Sequence, residues 1–194
     1  MSNWIEHPTI LKGRDVELIP LELSHFAELE AVAGDQRIWA YYTQDFSKPG
    51  SLADAMNDAL SAREQGREYP FAIRLPAQGK LIGGTRFLDI QPRHRKLEIG
   101  WTWLHPDYWA TGINRECKRL LLTYCFERLG VSRVQLKTDE NNLRSRAAIQ
   151  KIGGQFEGVL RSEQIRANGT KRNSAFYSIL EEEWAELKGR WGAG

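Results

Sequence analysis

No stretch of the sequence approaches the run of about 18 apolar residues that spans a bilayer, and the N-terminus lacks a signal-peptide pattern. Neither membrane spanning nor secretion is expected. Cysteine is scarce. The two present, Cys117 and Cys125, fall in one helical pattern, which sets them about 12 Å apart. That exceeds the reach of a disulfide, so both read as core thiols of a reduced, cytoplasmic protein. The four histidines, His7, His25, His94 and His105, show no metal-ligand spacing, and no metal site is expected. Charge of one sign is also missing: 27 basic side chains stand against 25 acidic ones, a net +2. Such a balance gives no electrostatic footprint for nucleic acid. The chain has neither internal repeat nor linker, and its 194 residues, 41% hydrophobic and 27% charged, fit one domain over residues 1–194.

What is present is an alternation of short apolar strands and amphipathic helices. Residues 1–11 read as an extended lead-in. Val16, Leu18 and Pro20 alternate with Glu17 and Ile19, predicting a first strand that ends at its proline. Ser24 is placed to cap a helix carrying Phe26, Leu29 and Ala33. Ser51, with Asp54 three residues on, is placed to cap a second, with Leu52, Ala55, Met56, Ala59 and Leu60 on one face. Period-two patterning then predicts strands around Phe71–Leu75 and Leu81–Ile90, joined by a turn at Pro76–Gly79, with Gly83-Gly84 marking a bulge or a close neighbour. Past Gly154, strands at Phe156–Arg161 and Ser174–Leu180 flank an Asn168-Gly169 hairpin turn, and Glu181–Gly194 reads as a charged tail with a last helical turn.

The informative stretch is Leu97–Gly154. An apolar strand, Leu97–Leu104, leads through Tyr108-Trp109-Ala110-Thr111-Gly112-Ile113-Asn114 into an amphipathic helix whose Ile113, Cys117, Leu120, Leu121 and Tyr124 face inward. A second strand, Val134–Thr138, leads into a short helix introduced by Asn141-Asn142 and ending at Gly153-Gly154. Strand, small-residue loop and helix start form an arrangement that receives phosphate, because the helix offers unpaired N–H groups and partial positive charge. An ordinary turn before the first helix and a plain Asn cap before the second explain each piece alone equally well.

Taken together, Glu98-Ile99-Gly100-Trp101, His105-Pro106-Asp107-Tyr108-Trp109-Ala110-Thr111-Gly112, Asn142-Leu143-Arg144-Ser145 and Lys151-Ile152-Gly153 resemble the GCN5-related N-acetyltransferase (GNAT) superfamily, and within it the ribosomal-protein N-terminal acetyltransferase branch. The resemblance runs from about Leu11 to Leu180. It implies an α/β GNAT fold: a mixed, mostly antiparallel sheet of about seven strands with one splayed pair, and about four helices. It implies acetyl-CoA as cosubstrate and an amine as acceptor, either a protein N-terminus or a small amine such as an amino acid, polyamine or antibiotic. No nucleic-acid or membrane partner is implied, and a homodimer is left open. Residue by residue, Trp103 and Leu104 would offer backbone groups to the pantetheine arm. The loop Trp109, Ala110, Thr111, Gly112, Ile113 and Asn114 would hold the pyrophosphate. Trp109 stands where the family has Arg or Gln, and Asn114 where it has a small residue. Asn142 matches the cofactor-contacting Asn, with Ser145 three residues on.

The implied reaction moves an acyl group from a thioester to an amine, and the amine must lose a proton. Glu98 is the candidate base, on the strand face opposite Leu97, Ile99, Trp101 and Trp103; the alternative is a solvated strand residue or an ion-pair partner of Arg93, Arg95 or Lys96. The departing thiolate needs a hydrogen-bond donor. The position seven beyond Asn142, often Tyr in the superfamily, is Ile149, which leaves Ser145 as the candidate. Lys118-Arg119 reads as a solvated face, and Trp39-Tyr41-Tyr42 as core. The rival function is a non-catalytic acyl-CoA-binding or sensing domain on the same fold.

Overall fold

The computed structural model describes residues 4–192; the first three and last two residues of the expected domain lie outside it. One eight-stranded sheet runs through the molecule in the order β1-β2-β3-β4-β5-β6-β8-β7. Its strands are β1 (Leu11–Lys12), β2 (Glu17–Pro20), β3 (Tyr69–Leu75), β4 (Lys80–Gln91), β5 (Lys96–Leu104), β6 (Arg133–Asp139), β7 (Gln155–Ile165) and β8 (Lys171–Leu180). Every neighbouring pair is antiparallel except β5 and β6. Five α-helices complete the fold: α1 (Phe26–Ala33), α2 (Ala53–Glu64), α3 (Ile113–Glu127), α4 (Leu143–Lys151) and α5 (Trp184–Gly192). The sheet thus has one strand more than the expected seven, the two-residue β1 inside the lead-in, and the helices one more than four.

Each face of the sheet carries its own core. Leu97, Ile99, Val134 and Leu136 pack beneath Cys117, Leu121 and Leu122 of α3 and Ile149 of α4. Ile19, Ala72, Leu81 and Trp103 pack on the other face, against Leu29 and Val32 of α1, Trp39 and Met56. Each such side chain removed from water is worth about 1.5–3 kcal/mol, which holds the helices in place. The C-terminal segment expected to fray is part of the first core. Trp184 and Leu187 are buried there, Trp184 stacks on Phe126 at 5.1 Å, and its indole N–H donates to Glu127.

Two expected caps are replaced by residues from further away. Ser24 lies inside a 3-10 turn, Leu23–His25, whose start is closed by the Glu22 N–H donating to His25 Nδ1. Ser51 donates to the Lys48 carbonyl instead of capping α2, and the Gly50 and Ala53 amides at that helix start are taken by the Glu30 carboxylate of α1. A tertiary carboxylate satisfies the same orphan amides that a local hydroxyl would.

A candidate acyl-transfer site at the parted strands

The parallel β5–β6 ladder covers only Lys96–Glu98 against Arg133–Gln135. Beyond Glu98 the two strands part, because β5 changes course. Its pairing with β4 shifts between Gly84 and Arg86, and Trp101 adopts a left-handed φ of +51°. An extra residue in one strand of an antiparallel pair bends that strand and re-aims its side chains. The bulge also corrects the strict alternation expected here. Leu97 and Ile99 face away from Glu98, but Trp101 and Trp103 turn to its side of the sheet and join Trp39 and Phe46. Gly83 makes the bulge feasible: a Cβ there would stand 2.0 Å from the Trp103 carbonyl oxygen.

Glu98 sits where β5 and β6 separate, and it is 5% exposed. It is neither solvated nor paired with the basic residues before it: Arg95 pairs with Glu181, and Lys96 lies 3.7 Å from Asp89. Its carboxylate instead accepts a hydrogen bond from Gln135 Nε2 at 2.9 Å, with Lys137 Nζ 3.9 Å away. Burial raises its pKa above the ordinary glutamate value, and the charge of Lys137 opposes that only in part.

The loop after β5 shows why its residues are small. Ala110 and Gly112 take left-handed φ values of +61° and +95°, no side chain caps the first amides of α3, and nothing lies within 4 Å of where a Gly112 Cβ would stand. Among the described residues the start of α3 is thus left open and uncapped, a feature that suits an anion. Trp109 serves the loop in a different way from an Arg or Gln: its indole N–H donates to the Leu104 carbonyl at 2.9 Å, tying the loop back to the end of β5. The His105 amide bonds to Ile82 of β4. By alternation along the strand, the Leu104 N–H points toward the gap, its carbonyl being taken by Trp109, whereas the Trp103 carbonyl faces Gly83 of β4.

The start of α4 comes to the same place. Asn142 caps it, its Oδ1 accepting from the Ser145 N–H at 3.0 Å, and among the described residues the Asn142 amide nitrogen and the half-buried Ser145 hydroxyl have no partner. Upstream, buried Asp139 accepts from the Asn141 N–H and pairs with Arg166, which fixes the end of β6. Arg144 stacks on the Trp109 ring, its guanidinium carbon 3.6 Å from the centroid. This contact joins the two stretches on which the sequence reading rested. Ile149 is buried in the core beneath α4 and contributes nothing polar to the site. His105 is a turn residue, receiving the Asp107 N–H on its Nδ1. Trp39 is core, as expected, while Tyr42 is half-buried and donates its hydroxyl proton to the Thr102 carbonyl at 2.8 Å.

Sequence reasoning missed Arg144, Thr102, Thr85 and Lys118. Lys118 is the clearest omission: it is 6% exposed, not on a solvated face. Its signal is in the sequence, since Lys118, Leu122 and Cys125 share the i, i+4, i+7 stripe that faces the sheet. Arg144 gave no such sign, because its partner lies in a distant loop.

A mostly antiparallel sheet parted at one parallel pair, with an uncapped helix start and an Asn-capped second helix beside the gap, defines an acyltransferase fold and site. The acetyltransferase (GNAT) domain family matches residues 15–155; the chain belongs to that family and is an N-acetyltransferase. YdaF of Bacillus subtilis (strain 168), provisionally named a ribosomal N-acetyltransferase, is 30% identical over 173 residues, covering 86% of this chain and 90% of YdaF. The crystal structure of a GCN5-related N-acetyltransferase from Brucella melitensis superposes with a TM-score of 0.87 at 26% identity, covering 97% of this chain and 86% of that one. Mycobacterium smegmatis RimJ, solved in complex with CoA-disulfide, shares the fold with a TM-score of 0.79 at 22% identity, over 94% of this chain and 91% of RimJ.

Proposed function

We propose that this protein is a cytoplasmic enzyme that transfers the acetyl group of acetyl-CoA directly to a primary amine. The observation that carries the reading is the parting of β5 and β6 beyond Glu98, immediately before an uncapped helix start with open space above Gly112. Acetyl-CoA supplies an acyl group already activated as a thioester. The amides from Ala110 to Asn114 bind the pyrophosphate, Trp109 and Arg144 hold that loop against α4, the Leu104 backbone aligns the pantetheine arm, and the free amide of Asn142 adds a further contact. Glu98, kept uncharged more readily than an exposed glutamate, accepts the amine's surplus proton directly or through water. Ser145 offers its hydroxyl to the departing sulfur.

The crevice beside the bulge is lined by Leu21, Leu29, Leu52, Met56, Trp101 and Arg86, the last 4.0 Å above the Trp101 ring. No carboxylate lines it among the described residues, and the charge of Arg86 is met from outside the crevice by Glu68 at 3.2 Å. The apolar lining favours an amine carried on an apolar or aromatic body. An amine panel assayed by CoA-thiol release tests both points. N-terminal peptides and apolar amines are expected to outperform spermidine, whereas binding of acetyl-CoA without transfer to any amine would leave only the binding domain.

A further inference from the structure

Lys118 is a buried ionisable group with no part in the transfer as described so far. It lies on the inner face of α3, and its only hydrogen-bond partner among the described residues is Thr102, Nζ to Oγ1 at 2.5 Å. Thr102 Oγ1 is in turn 2.7 Å from Thr85 Oγ1, and both hydroxyls reach toward the Gly100 carbonyl at 3.4 Å. The chain Lys118–Thr102–Thr85 therefore crosses the bulge on the α3 side, and Thr102 directly precedes Trp103 and Leu104 in β5. An ammonium has three donors, and here only one is used. No carboxylate pairs with it: Glu98 reaches it only through its longer-range charge, Cys117 is the adjacent thiol, and Tyr42 meets it only through the Thr102 carbonyl. A buried unpaired cation is costly and persists where it has a use. Burial lowers its pKa to about 8, so the ammonium is still the main form at neutral pH.

On the acetyltransferase reading, we infer that Lys118 is a catalytic residue whose ammonium, held by Thr102 on the α3 face of the β5 bulge, donates a hydrogen bond to the acyl oxygen as negative charge builds there. In the step it serves, a bond forms between the amine nitrogen and the acyl carbon, and the carbon–sulfur bond breaks. The amine gives up one proton and the sulfur gains one, so Lys118 ends the step as it began, fully protonated. Its part is electrostatic, like that of a preorganised oxyanion donor.

Lys118→Met tests this, since an apolar side chain of similar length removes the charge and keeps the packing. The expected result is a fall in kcat of about 10²–10³-fold, the usual effect of losing one such donor, with the Kd for CoA changed less than about threefold and a melting temperature no lower than wild type. A kcat within about threefold of wild type overturns the inference. The second measurement needs no variant: the Lys118 side-chain carbon signal is followed by NMR as the wild-type protein binds CoA or acetonyl-CoA, a ketone analogue that keeps the carbonyl and cannot transfer it. A shift in the Lys118 titration with acetonyl-CoA but not with CoA supports the contact, and equal responses to the two ligands overturn it. If wild type neither binds acetyl-CoA nor transfers it, the acetyltransferase reading fails instead, and the two failures are separable.

Discussion

Glu98 and Lys118 lie on opposite sides of the β5 bulge, both buried and both moved toward their neutral forms, Glu98 upward and Lys118 downward. For Glu98, the carboxylate form required of a base is lost as pH falls through a value above the ordinary one. Wild-type kcat is expected to decline on the acid side from that raised pKa, and Glu98→Gln to abolish the limb with a loss of about 10²–10⁴-fold; a pH–rate profile of both proteins checks it. For Lys118 the effect is on stability. Its pKa is about 8 folded against 10.5 as a free lysine, so between those values the unfolded chain binds more protons, and stability from this group rises with pH across that window. Lys118→Met removes the slope. At pH 7 its melting temperature is expected to exceed wild type by about 5–10 °C, and the two should converge near pH 10.5 in thermal melts. Asn142 does two things at once. Asn142→Ala is expected to cost about 1 kcal/mol as a lost cap, and to raise the KM for acetyl-CoA by about 3–10-fold as a lost hydrogen bond, read from denaturant melts and saturation kinetics.

At the scale of elements, the bulge and the last helix matter most. The bulge depends on the close passage of Gly83 beneath the Trp103 carbonyl. Gly83→Ala is expected to force the β4–β5 register apart, destabilising by about 1–3 kcal/mol and lowering kcat along with it, because Thr102 and Trp103 shift together. Gly83-Gly84 marked this place in the sequence, but the consequence, Trp101 and Trp103 changing faces, was not readable. Strict alternation holds only where the register is unbroken, and a bulge is decided by the partner strand. Helix α5 was hidden for another reason. Its Glu-rich start reads as solvated, and only the tertiary contacts of Trp184 and Leu187 show that it is docked. Trp184→Ala is expected to cost about 3–5 kcal/mol; a near-neutral effect in a denaturant melt would mean that the helix is peripheral.

For the whole molecule, the strand–helix order was legible because each long element carries its own period: two for β3 and β4, three to four for α3. The cofactor side of the site was legible for the same reason, since the loop before α3 and the cap of α4 are local motifs on consecutive strand–helix units. The acceptor side and Lys118 were not. They are assembled from α1, α2, β4 and the bulge, which are distant in sequence, and the burial of a charge is a property of the fold that composition does not reveal.

Direct acetyl transfer at the parted strands is put to the test by single-turnover kinetics. Purified protein mixed with acetyl-CoA and an apolar α-amine is followed for thiol release while mass spectrometry tracks the acceptor and the protein. One acetylated amine is expected for each thiol released, with no acetylated protein accumulating and no release without the amine. Acetylated protein forming before the amine is added, or acetyl-CoA held without any thiol release, would contradict it.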